Sequence, residues 1–96
     1  MTINVLHKYL DNPLFLLSEN ADTIANVADK IAWSKVSLDD LTKVNHKIRE
    51  IVRTNANKLG KLVVQSLSHI ANELVYPECL KKLRMRKEPV KDCKFH

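Results

Sequence analysis

Ninety-six residues, 45% of them hydrophobic, make one domain with a single modest core. One glycine and three prolines allow few tight turns, which argues against hairpins and for helices. Two cysteines are too few for a disulfide framework, so a reducing compartment is the expectation, and a net charge of +5 points to an acidic partner.

In chain order, a short first helix is expected from Ile3 to Leu10, with Val5, Leu6, Tyr9 and Leu10 near one face. Asp11-Asn12-Pro13 ends it, and Asn12 as N-cap with Pro13 at the first helical position starts the next. Leu14, Leu17, Ala21, Ile24, Ala28 and Ile31 then recur at three- and four-residue spacing, as a buried stripe requires. They occupy either one helix or two that break near Glu19-Asn20. Ser37 followed by Asp40 reads as a capping box in its acidic form, with Asp39 and Asp40 in the first turn of a new helix.

From there Leu41, Val44, Ile48, Ile51, Val52, Leu59, Leu62, Val63, Ile70 and Leu74 fall on one arc, about 140° wide at 100° per residue. The shared phase favours one long amphipathic helix over 38–75, about 57 Å in length. Its apolar stripe would stay exposed unless a second copy covered it, so a homodimer is the expected arrangement. A break near 54–60, at Thr54-Asn55-Ala56-Asn57 or with Gly60 as a left-handed cap, gives a bent helix pair in a monomer instead. Tyr76-Pro77 is expected to stop this helix, and Pro77 to open a last one from Glu78 to Lys87. The fold expected is therefore all-α with four to five helices, a single helical domain over 1–87 and a charged C-terminal tail over 88–96.

Residues 23–41, TIANVADKIAWSKVSLDDL, carry the most specific local pattern. Ala28 is small where a second helix would cross closely, Ala32 sits in the turn, and Val27, Ile31, Trp33, Leu38 and Leu41 are the apolar positions that would lock two helices together. The segment resembles the opening helix-turn-helix of lactose-repressor-family regulators, which Thr23, Ile24, Val27, Ala28 and Ser34 match. The resemblance implies DNA binding, with a recognition helix over about Lys35 to Lys43 entering the major groove. Alanine replaces the usual turn glycine, however, and Asp39 and Asp40 would face phosphates. The pattern therefore speaks to fold more than to base reading, and the expected nucleic-acid contacts lie downstream.

Charge locates those contacts. Residues 1–40 hold three basic against six acidic groups, a balance of −3, whereas residues 41–96 hold thirteen against five, a balance of +8. Lys43, Lys47, Arg49 and Arg53 line the long helix, beside His46. Lys81, Lys82, Arg84, Arg86 and Lys87 crowd the last one. Such groups bind phosphates by releasing counterions, without sequence selectivity. Aromatic side chains that would stack unpaired bases are nearly absent there.

The rival expectation is a helical protein-interaction module, an adaptor or inhibitor of a partner protein. Trp33 would be its anchor, Asn45 and Asn55 on the apolar arc would set its pairing register, and Leu59 would belong to the same interface. Cys79, Cys93 and His96 fit no compact zinc motif, so no metal or other cofactor is expected. No phosphate loop, nucleophile elbow or histidine–carboxylate metal motif appears, so a non-enzymatic protein is expected. MTINVLHKYLDN has neither a basic start nor a sustained apolar run, and the longest apolar run is Leu14 to Leu17. A cytoplasmic location without membrane contact is the corresponding expectation.

Overall fold

The structure, a computed structural model, describes residues 2–55 and 57–87. Helix α1 (Ile3–Asp11) buries Leu6 and Leu10, one turn apart, and ends at the extended Asn12 that precedes Pro13. Asn12 does cap the next segment, its side-chain oxygen accepting the Leu14 N–H at 3.0 Å. That segment is not the expected helix but two 3₁₀ turns, Pro13–Phe15 and Ser18–Asn20. Asn20 is a poor helix former, because its short polar side chain competes for the nearby backbone groups. The turns change which leucine is buried: Leu16 enters the core, and Leu14 and Leu17 face solvent.

Helix α2 (Ala21–Asp29) buries Ala21, Ile24, Val27 and Ala28, the i, i+3, i+4 stripe of the expected pattern. Helix α3 (Leu38–Asn55) starts as its sequence requires, with the Ser37 hydroxyl accepting the Asp40 N–H at 3.2 Å. It buries Leu38, Leu41, Val44, Asn45 and Ile48.

The continuous helix over 38–75 does not form. Helix α3 ends at Asn55, whose carbonyl accepts the N–H groups of Lys58 and Leu59, and the chain reverses. Thr54, Asn55 and Asn57 are poor helix formers with polar groups close to the backbone, which is where a common phase gives way. Gly60 is not a left-handed cap; it is extended (φ −67°, ψ 149°) and stands at the N-cap of the next helix.

That helix, α4 (61–86), runs straight through the expected stop at Tyr76-Pro77. Its middle six residues, Ile70–Val75, are wound more widely, and the Tyr76 N–H donates five residues back to the Ala71 carbonyl. Proline has no N–H to offer and its ring crowds the carbonyl four residues earlier. The wide turn falls where that crowding would occur. Four helices result, with no strand among the described residues.

Helices α3 and α4 form an antiparallel hairpin: the far end of α4 returns beside the start of α3, where the Lys82 ammonium donates to the Ser34 carbonyl at 2.9 Å. Helix α1 packs on α2 and α3, and α2 packs on α1 and α4. Helices α2 and α3, the pair that resembles a helix-turn-helix, make no extended contact with each other. Eight residues (30–37) separate them, against three or four in a helix-turn-helix. In that joint Trp33 folds back on α2, its indole N–H donating to the Ala28 carbonyl at 2.9 Å in the core. Lys35 lies in a 3₁₀ turn, so no single helix spans Lys35 to Lys43.

Candidate nucleic-acid interface

The outward face of α3 carries cations at helical spacing because the inward face is fully used by the core. Leu41, Val44, Asn45 and Ile48 point inward, which leaves Lys43, His46, Arg49, Glu50 and Arg53 on the outer side. Helix α1 borders that face. The two helices enclose an open groove of about 710 Å³, lined by His7, Thr42, Lys43, His46, Lys47, Arg49 and Glu50. A smaller recess of about 170 Å³ continues it along α3 to Arg53, sharing His46, Arg49 and Glu50.

Two of the cations have partners in place. Arg53 pairs with Glu50 one turn away, both side chains exposed. Lys47 bridges to α1: its ammonium lies 2.8 Å from Asp11 Oδ1 and 2.9 Å from His7 Nδ1. His7 thus accepts at Nδ1. Burial and the Lys47 charge hold its pKa below the ordinary 6.5, Asp11 and Asp40 oppose them, and Lys43 adds to the fall. An exposed ion pair is worth about 0–1 kcal/mol, so a phosphate competes readily for Arg53. The Thr42 hydroxyl donates to the Asp39 carbonyl at 2.9 Å.

The second basic group sits on the last turns of α4. Arg84, Arg86 and Lys87 are exposed, Lys81 lies 3.5 Å from Glu78, and Lys82 is tied to Ser34. Basic groups there also offset the helix dipole, which is sufficient reason for some of them.

The residues expected to form a protein interface differ in exposure. Trp33 is buried at 7% exposure, and Asn45 at 1% is the one buried polar side chain among the described residues. Asn55 and Leu59 are half-buried in the α3–α4 turn. Exposed apolar side chains gather at Leu14, Phe15 and Leu17, with Leu62 on α4 beside a shallow groove against α2 and Met85 near the end of α4. Cys79 is buried and disulfide-bonded, against the expectation drawn from the cysteine count; Cys93 and His96 lie outside the described residues, as does the tail over 88–96. Among the described residues no cluster suited to a metal ion occurs, and no helix is long and apolar enough to cross a membrane.

His7, Asp11 and Thr42 are the site residues that sequence reasoning misses. His7 and Asp11 reach the groove only through the packing of α1 on α3, forty residues away in the case of His7 and Lys47. Comparison with protein-family models, with curated proteins and with solved structures finds no match to this chain.

Proposed function

We propose that the protein binds nucleic acid through its backbone, using the outer face of α3, and acts as a small non-enzymatic regulator. The observation that carries this reading is the groove in which Lys43, His46, Lys47 and Arg49 converge, continued to Arg53. Phosphates meet these groups rather than the start of α3, where Asp39 and Asp40 repel them. The groove lacks aromatic rings other than histidine, which favours duplex over a single-strand platform. The one hydroxyl lining it, on Thr42, is engaged by the backbone, which supports binding over chemistry.

Four phosphate contacts, at Lys43, Lys47, Arg49 and Arg53, correspond to a slope of about −3.6 in log affinity against log salt. Anisotropy of a fluorescent duplex over a salt series measures it. Replacing Arg49 and Arg53 together with alanine should weaken binding on every sequence alike and reduce the slope by about two. No binding at low salt would remove the proposal.

A second reading, a module that docks on another protein, is favoured by one observation. Leu14, Phe15 and Leu17 expose large apolar surface within four residues. A stoichiometric protein partner that survives nuclease treatment and is lost in a Leu14→Ser, Leu17→Ser variant would support it. Neither reading requires a homodimer.

A further inference from the structure

The contact between Lys47 and His7 ties two elements by a bond that a proton would break. At rest the Lys47 ammonium donates to His7 Nδ1 at 2.9 Å and rests on Asp11 at 2.8 Å. A protonated imidazole is a donor at both nitrogens and accepts nothing. Once Nδ1 carries a proton, two positive donors face each other across this contact, and one of them has to leave. The Lys47 stem is the mobile partner, since its ammonium sits on four rotatable carbons while His7 is part of α1.

Where the ammonium goes depends on what the groove holds. Its other walls carry Lys43 and Arg49, and the one carboxylate among them, Glu50, is paired with Arg53, so an empty groove offers a further cation little attraction. A phosphate there supplies that attraction: it draws Lys47 away from His7 and stabilises positive charge on the ring left behind. The charged groups acting on His7 are Asp11 of its own helix and Asp40, Lys43 and Lys47 of α3. Two anions thus face two cations, and an arriving phosphate decides the balance.

We infer that the α1–α3 groove is a phosphate site whose occupation is coupled to proton uptake at Nδ1 of His7, with Lys47 exchanging His7 for the phosphate. This rests on the reading of the α3 face as a polyanion surface, and it names the chemical group recognised and the residues that exchange partners. Coupling of this kind is reciprocal: acid strengthens phosphate binding as much as phosphate raises the affinity of His7 for its proton. The groove is open, so the phosphate group it would hold can belong to a nucleic-acid backbone or to a small phosphorylated molecule.

The test is an NMR pH titration of the His7 ring in the full chain. It is run alone, with saturating short duplex DNA, and with inorganic pyrophosphate. The expected result is a rise in the His7 midpoint with ligand, accompanied by about three- to tenfold tighter binding near pH 6 than near pH 8. Duplex binding with an unmoved His7 midpoint overturns the inference and leaves the proposed function standing. Pyrophosphate moving the midpoint while duplex fails to bind sustains the site and overturns the nucleic-acid reading. Failure of both probes to bind at low salt at any pH overturns both.

Discussion

At the scale of single residues, His7 makes stability depend on pH in a direction that can be worked out. Its pKa in the folded protein lies below the ordinary 6.5, so between the two values the unfolded chain binds more protons than the native one. Stability is therefore complete above about pH 6.5 and declines as pH falls towards the folded value. Urea midpoints measured from pH 8 to 5.5 should show this decline, and His7→Gln should flatten part of it. Trp33 offers a sharper measurement. Its indole N–H reaches the Ala28 carbonyl in the core, which also accepts the Ile31 N–H at 3.2 Å, so Trp33→Phe removes one of that carbonyl's donors and keeps much of the ring. Chemical denaturation should show a loss of about 0.5–1.5 kcal/mol for the bond. An unchanged midpoint would mean that the bond contributes nothing. The apolar spacing of residues 27–41 places Trp33 at a joint between helices, as found. Its partner was not legible, because a backbone carbonyl leaves no mark in a sequence.

At the scale of elements, the wide turn in α4 follows from a spacing visible in the sequence. Val63, Leu67, Ala71, Val75, Cys79 and Leu83 are buried at strict four-residue intervals. In an α-helix each such step drifts about 40°, so five steps carry the stripe about 200° round, off the core. Winding Ile70–Val75 more widely takes up part of that drift and returns Cys79 and Leu83 to the core. One extra residue is thus stored in the turn. Deleting Leu74, together with Pro77→Ala to relieve the proline clash, should let α4 run as a regular helix with its apolar face intact. Cooperative thermal unfolding should survive in that variant. Deleting His46 from α3, which holds no spare residue, should abolish it. The shared phase over 41–74 points to one helix because the residues on either side of the turn share an arc by coincidence. Periodicity reports which face is apolar and is blind to the chain reversing direction at Asn55.

At the scale of the whole molecule, the reversal at Asn55 removes the reason for expecting a dimer. The dimer expected from sequence has one physical cause, an apolar stripe on a protruding helix about 57 Å long. In the fold that stripe is divided between α3 and α4 and, Leu62 apart, turned towards the core with α1 and α2, with a Cα radius of gyration of 12.8 Å and a longest extent of 40 Å. A compact domain of this size is expected near ~13 Å. The α3–α4 hairpin covers from within the surface that a second chain would otherwise cover from outside. The all-α class and the cationic face of α3 were legible because each depends on one helix at a time. The groove was not, since it needs α1 to meet α3. Light scattering of the purified chain should return the monomer mass of 11.0 kDa, unchanged as salt is lowered. Twice that mass, lost on replacing Leu14 and Leu17 with serine, would show that the exposed turn and not the hairpin joins two copies. A monomer would have no twofold axis to match a palindromic site. That would agree with the outer face of α3 meeting one stretch of backbone and with the modest salt slope predicted for it.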